Sequence, residues 1–425
     1  MSTSLSRRKF LGGVAAMGTC TFIPRHLVGA PGKGAGPQRG SAICGLGRGG
    51  GFDRSALAVC DPDQNRVKAS LAGRPGACKG YTDFREIIDR EDIGKVWVVT
   101  PPHWHAIISI MAMKAGKDVF CEKPLTRTIG EGKAFVEAVR RYGCDFGYGA
   151  SHETPHPRML RKVAVSGILG TPLTIYIRGS RRANFKVGGW RGMVNQVPQP
   201  VPPTLDWNLY CGPSPLKPYH QHRTHGSFRG YWDYDGGGLT DMAGHVLNDL
   251  LDNIGKDDTS PSEIETIGPP AHDDAVGIFD YSRLRWADGT VLVIDSGVVP
   301  PSDGADPDIF VEGPKGRLRF MSDLPGFNTR DAHGRGDEVL TSDPPRIIDE
   351  LRRMPDPPNP SPLVGLPGPL AGVIHAHRTI SLANLLNTSL RVGRKIRFDP
   401  VAEEVIGDEE ANRLANPTFR EPWHV

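Results

Sequence analysis

At 425 residues the chain is long enough for two hydrophobic cores, and its 38% hydrophobic and 23% charged content is that of an ordinary globular protein. A formal net charge of +3 over this length excludes the strongly basic class that binds nucleic acid or an anionic membrane surface. The 52 Gly and 38 Pro imply long connections, and seven scattered Cys without a CxxC pair exclude a disulfide-stapled scaffold.

The chain begins MSTSLSRRKFLGGVAAMGTCTFIPRHLVGA. Ser6-Arg7-Arg8-Lys9-Phe10-Leu11 is a twin-arginine signature ahead of an apolar run from Leu11 to Ile23. That run is too short and too rich in Gly and Ala for a membrane span, which takes about 20 residues. Residues 1–30 are therefore expected to be a twin-arginine signal peptide, cleaved near Ala30. The export machinery is then a partner, and the destination is the periplasm or another exported compartment. No later segment could span a bilayer, so stable membrane insertion is not expected. Cys20 leaves with the signal, while Cys44, Cys60 and Cys121 end apolar runs and are expected as buried thiols.

Residues 31–40, PGKGAGPQRG, form a Gly/Pro linker. From 41 to 150 short apolar runs alternate with helical patterns. SAICG, ALAVCD, KVWVVT, DVFCEK and DFGYGA read as buried strands, with helices over Asp83–Asp89, His105–Ala115 and Ile129–Tyr142. Such alternation predicts an α/β domain with a doubly wound parallel sheet, and ligands at the carboxyl ends of its strands. The pattern changes over 151–425. A helix over Pro155–Ser166, the strand LTIYIRGS and a Pro-rich loop from Phe185 to Arg229 come first. A helix over Leu239–Asn253, the strands AVGIFDYSRL and VLVIDSG and the hairpin DIFVEGPKGRLRFMS follow. Another Pro-rich loop, Pro355–Pro369, leads to a helix over Ile374–Val392. This half predicts an α+β domain with an open, largely antiparallel sheet.

Three motifs carry chemistry. After the first strand, Gly45, Gly47 and Gly50 permit a tight turn and let backbone N–H groups approach a pyrophosphate, and Asp61 ends the next strand where it could accept from ribose hydroxyls. The spacing is short, however. Only about ten residues separate Gly45 from the strand at Ala56, three of them in the run Gly49–Gly51, while a crossover with its helix normally takes about 10–12 or more. Gly45–Ser55 is therefore expected to hold at most about two helical turns. In the second motif Lys123 follows Glu122 and precedes Pro124 at the end of a strand, and a lysine there can polarise a substrate hydroxyl, or else lie on the surface. In the third, GGGLTDMAGHVLND, Asp241 and His245 stand at i and i+4 on one helical face. That pair suits a carboxylate orienting an imidazole, or a structural bridge. His103 and His105 are expected to cap a helix, and the trio His220, His222 and His225 lacks a fourth nearby ligand, so no metal site is expected. Trp190, Arg229 and Trp232 flank the expected cleft and could stack on or hydrogen-bond a ligand, or serve ordinary loop packing.

EKPLT, TPPHWH, LDWNLYCGPSPLKPYH, YWDYDGGGLTDMAGH and GRKIRFDP…GDEEANRL together resemble the glucose–fructose oxidoreductase/inositol dehydrogenase (Gfo/Idh/MocA) family, over nearly all of the chain beyond the linker. The resemblance implies a Rossmann-type dinucleotide-binding domain over 41–150 and an open-faced substrate and oligomerisation domain over 151–425. It implies an active site of Lys123, Asp241 and His245, with Thr100, Pro101 and Glu122 beside the nicotinamide. The shortened glycine-loop crossover departs from the family pattern. The function expected is an NAD(P)-dependent oxidoreductase acting on a hydroxyl of a sugar or polyol by hydride transfer, in a homo-oligomer. Asp61 favours NAD, because a carboxylate there repels a 2′-phosphate, with NADP left open. Two alternatives stand beside this reading: an NAD-dependent glycosidase using transient oxidation, and a non-catalytic sugar-binding protein with a decayed cofactor site. An exported enzyme of this kind would load its dinucleotide before export and hold it through turnover.

Overall fold

The computed structural model describes residues 39–47, 52–150, 157–178, 190–296, 309–320, 339–340 and 350–425. The twin-arginine segment, most of the linker and Gly50 lie outside the described residues.

Six parallel strands form the first sheet, in the order β3-β2-β1-β4-β5-β6. They are β1 (Gly40–Cys44), β2 (Ala58–Cys60), β3 (Lys79–Tyr81), β4 (Ile93–Val98), β5 (Asp118–Cys121) and β6 (Phe146–Tyr148). The connections carry α1 (Gln64–Ala72), α2 (Phe84–Ile88), α3 (His105–Lys114) and α4 (Ile129–Tyr142). Local chemistry sets the helix ends. Asp63 and Asp83 accept from Asn65 N and Arg85 N to start α1 and α2. Thr128 and Glu131 form a reciprocal capping box on α4, which ends at Gly143 with φ 62°. Helix α3 is buried nearly all round, which is why its sequence is apolar without a stripe.

The link from β1 to β2 differs from the other four. Its described residues, 45–47 and 52–57, contain no helix. Ser41 Oγ and Ser55 N donate to the Asp53 carboxylate, and Arg74 donates to Asp53 O, so the returning segment is tied down by polar contacts. Phe52 lies against Trp97 and Phe120 at ring-centroid distances of 5.8 and 6.0 Å, covering part of the sheet face. Ile43, Leu46, Ala56, Val59 and Val67 form a small separate core beneath it.

The second sheet has nine strands in the order β13-β12-β11-β7-β10-β9-β8-β14-β15. These are β7 (Thr174–Arg178), β8 (Glu263–Ile267), β9 (Tyr281–Arg285), β10 (Val291–Asp295), β11 (Ile309–Gly313), β12 (Gly316–Phe320), β13 (Val339–Leu340), β14 (Ile396–Asp399) and β15 (Glu404–Val405). Only β7 and β10 pair in parallel, and the remaining pairs are antiparallel. Buried and exposed residues alternate strictly along β9, as in a sheet covered on one face. The helices of this half include α5 (Pro157–Ser166), the short α6 (Trp207–Cys211), α7 (Gly237–Ile254), α8 (Gly368–Val392) and α9 (Glu409–Ala415). Helix α8 packs on α4 of the first sheet and on α7 and β8 of the second, and so joins the two cores. The Pro-rich loop also returns to the first sheet. Gln64 N donates to Thr204 O at 2.9 Å, Asp206 N to Pro62 O at 3.0 Å, and Trp104 Nε1 to Leu209 O at 3.1 Å. Arg420 near the C-terminus fastens this loop through Asn208 and Gly212.

Candidate active site

A cleft of about 820 Å³ opens at the carboxyl ends of the first sheet, where a doubly wound fold places its ligands. At one end lie Gly45 and Gly47. Gly45 has φ +96°, and a Cβ there would stand 2.6 Å from Thr100 N and Val99 O. Only glycine lets the loop pack this tightly against the end of β4. Asp61, buried beside it, accepts from Leu46 N at 2.8 Å and Asp63 N at 3.0 Å. It therefore shapes the glycine loop while keeping lone pairs for a further donor. Burial pushes its carboxyl above the usual range. A tightly packed glycine loop without side chains at Gly45 and Gly47, a carboxylate at the end of β2 and an adjoining apolar pocket between Cys60, Phe84 and Tyr210 fit the adenosine half of a dinucleotide.

At the other end the chain after β5 delivers Glu122 and Lys123. Glu122 N donates to Val98 O and Gly149 N to Cys121 O, so neighbouring strands hold this turn, and the Lys123–Pro124 peptide is cis. Lys123 Nζ donates to Asp241 Oδ2 at 2.9 Å and to Asp241 O at 3.0 Å. Arg229 Nε donates to Asp241 Oδ1 at 2.8 Å, and its guanidinium lies over Trp190 at 4.6 Å. The Asp241 side chain is only 2% exposed. One buried carboxylate thus binds two cations that both line the cleft. His245 follows one helical turn later, half-buried and on the same side as Asp241. Glu122 Oε2 accepts from Lys123 N, and burial raises the Glu122 carboxyl.

The structure brings Lys123 onto Asp241 and places Gly45, Gly47, Asp61, Thr100, Pro101, Glu122, Trp190 and Arg229 along one cleft. Trp232 does not belong there. It is buried, donates to His272 O at 2.8 Å and carries Arg391 over its ring at 5.0 Å, so its indole packs inside the second half of the molecule. His103 and His105 do not cap a helix: α3 has Trp104 at its N-cap with no side-chain bond. The His105 ring instead lies between Thr100 O at 2.8 Å and Pro124 O at 2.7 Å, tying together the two loops of the site. His103 Nε2 donates to Tyr210 O at 2.9 Å. His222 Nδ1 bonds Tyr231, His220 Nδ1 accepts from His222 N, and His225 Nδ1 accepts from Arg66. Among the described residues no His, Cys, Asp and Glu cluster could hold a metal.

Two residues went unforeseen. A Cβ on Gly244 would meet Lys123 Cβ at 3.0 Å and Tyr148 Oη at 2.8 Å, so this glycine lets the lysine stem cross α7. Its place between Asp241 and His245 was a usable signal. Asp235 is buried near Asp241, and burial, reinforced by that neighbouring charge, drives its carboxyl well above the usual carboxylate range. Nothing local in the sequence marks it.

The family model described as the oxidoreductase family, C-terminal alpha/beta domain, matches residues 154–359 and 371–425, more than half of the chain. The companion model, the NAD-binding Rossmann fold of the same family, matches residues 27–150. The chain belongs to the Gfo/Idh/MocA oxidoreductase family. Levoglucosan dehydrogenase of Pseudarthrobacter phenanthrenivorans is 37% identical over 125 residues, covering 28% of this chain and 30% of that protein. The scyllo-inositol 2-dehydrogenase (NAD(+)) of Bacillus subtilis is 32% identical over 152 residues, covering 33% of this chain and 44% of that protein. The chain thus spans less than half the length of these curated relatives. Among solved structures, the WlbA dehydrogenase of Bordetella pertussis in complex with NADH and UDP-GlcNAcA aligns with a TM-score of 0.53 at 18% identity. The alignment covers 85% of this chain and 98% of that one, and the likeness is one of fold. The first sheet is therefore the NAD-binding Rossmann domain of this family, with an abbreviated first crossover.

Proposed function

We propose that this member of the family is an exported, NAD-dependent dehydrogenase that oxidises a hydroxyl of a sugar or polyol. The observation that carries the reading is the Lys123–Asp241 pair, set on the same cleft as the glycine loop. Gly45, Gly47 and Asp61 would hold the adenosine and phosphate half, and Thr100, Pro101 and Glu122 the nicotinamide half. Bound there, NAD would supply the hydride acceptor. The chain supplies the remaining chemistry. Of the three N–H donors of Lys123, two are committed to Asp241, which leaves one for the reacting oxygen. The ammonium charge, held in place by Asp241, stabilises negative charge developing on that oxygen. His245 exchanges the hydroxyl proton, and Arg229 with Trp190 offers a polar edge and an aromatic face to a sugar ring. The inositol and levoglucosan dehydrogenases among the relatives support a carbohydrate or polyol substrate.

The test is to incubate the purified chain with NAD and a panel of inositols, anhydrosugars and aldoses and to follow NADH. Formation of NADH with one class of polyol supports the reading. Release of reducing sugar from added glycosides, with no net change in bound cofactor, selects the glycosidase instead, and no response to any polyol or glycoside overturns both. Export is tested separately by replacing Arg7 and Arg8 with Lys, which should leave precursor in the cytoplasm. Unchanged export removes the twin-arginine assignment. Light scattering on the native protein should show a homo-oligomer.

A further inference from the structure

The pyrophosphate of a dinucleotide brings concentrated negative charge into a cleft. A doubly wound sheet normally answers it with the N-terminus of the helix after β1, worth roughly half a positive charge. Here the described part of that crossover turns back to β2 with no helix. We propose that Arg66, braced by His225, is the phosphate clamp of this cleft, bringing positive charge to the glycine loop from α1 and the Pro-rich loop.

The geometry is specific. Arg66 stands in the first turn of α1, and its Nη1 is 3.1 Å from the point where a Cβ would sit on Gly47. The guanidinium therefore rests on the bare backbone of the second glycine, where the chain of a Rossmann loop approaches the phosphates. The fork is aimed, not loose. Nε donates to His225 Nδ1 at 2.9 Å and Nη2 faces the same nitrogen, which leaves Nη1 toward the glycine loop. A nitrogen that accepts from arginine belongs to a neutral imidazole, and burial together with the Arg66 charge lowers the His225 pKa accordingly. His225 Nε2 in turn faces Asp63 Oδ2 at 3.7 Å, and its backbone holds φ 53°, an uncommon conformation for a residue with a side chain. Arg66 and His225 both line the cleft with Gly45 and Gly47. The clamp assembles only because the Pro-rich loop lies over α1, where Asn65 Nδ2 donates to Thr204 Oγ1 at 3.1 Å. Asp61 and Asp63 stand nearby, and their charge opposes a 2′-phosphate, so the clamp reads the pyrophosphate.

This inference rests on the dinucleotide reading of the cleft, and the experiment separates the two. Binding of NADH, NADPH, ADP-ribose and adenosine is measured by fluorescence or calorimetry for the cofactor-stripped full chain and for Arg66→Ala and His225→Ala, with circular dichroism confirming the fold of each. Arg66→Ala should weaken NADH and ADP-ribose alike by about 10- to 100-fold, the scale of a charge-assisted hydrogen bond, and leave adenosine unchanged. His225→Ala should produce a smaller loss of the same pattern, and added salt should narrow the gap between the original chain and Arg66→Ala. Equal ADP-ribose affinity in the original chain and Arg66→Ala overturns the clamp. So does a loss confined to NADPH, which would assign Arg66 to a 2′-phosphate. If the unsubstituted chain binds neither NADH nor ADP-ribose, the dinucleotide reading itself fails, and the clamp with it.

Discussion

At the Lys123 end of the cleft, charge is answered by buried charge: Asp241 sits between Lys123 and Arg229, on a helix wedged into the main core. At the glycine end the framework is lighter. A loop is held by backbone contacts to Asp61 and by steric fit against Thr100, over a separate core of few residues. The first arrangement suits a group that must keep one charge and one direction through a reaction. The second suits a surface that must only recognise phosphate and ribose. Chemistry and affinity should therefore separate under mutation.

The largest effect should come from Lys123→Met. General acid–base and electrostatic help of this kind is worth about 10²–10⁴-fold, so kcat should fall on that scale. NADH affinity should stay within a few-fold, and Asp241 keeps Arg229 as a partner, so folding should survive. A parallel collapse of NADH binding would erase the distinction between the two ends.

Gly45→Ala should do the converse. The new methyl meets Thr100 N and Val99 O at 2.6 Å at a backbone φ of +96°, a strain on the order of 1–3 kcal/mol. Cofactor titration should show that loss as weaker NADH binding, while kcat at saturating cofactor stays near its original value.

His103, bonded to Tyr210 O beside the cleft, should respond to pH. Burial pushes its pKa down to about 3 from 6.5, so the folded state binds fewer protons than the unfolded chain between those values. Its contribution is complete above pH 6.5 and is lost as pH falls toward 3. Between pH 6.5 and 5, the unfolding free energy from urea titration should drop by up to about 1.4 kcal/mol per pH unit more in the original chain than in His103→Gln. Identical slopes would mean that His103 is not held neutral.

Trp232→Phe should matter least. It removes one hydrogen bond, to His272 O, at a cost of about 0.5–1.5 kcal/mol, and leaves substrate KM unchanged because the ring lies outside the cleft. A raised KM would return Trp232 to the site.

Much of the first sheet was legible because its strands are continuous apolar runs and its longer helices repeat at their own period. Lys123, Asp241 and His245 stood out as chemistry at strand and helix ends. The strands β3, β8 and β14 were not foreseen, since KGY, EIETI and IRFD are short and carry as many charged or polar positions as a loop. Helix α1 was missed too, because QNRVKASLA buries only Val67 fully.

What the sequence alone determined is whatever depends on near neighbours: the alternation of elements, the helix caps, the glycine turn and the i, i+4 spacing of Asp241 and His245. Tertiary structure decided the partners. That Asp241 serves Lys123 and Arg229, that Trp232 turns inward, that His105 ties two loops and that Arg66 meets His225 all rest on contacts between segments far apart in the chain. A residue type states which bonds it can make, but the fold selects the partner, because burial leaves a polar group only those donors and acceptors that packing brings within reach.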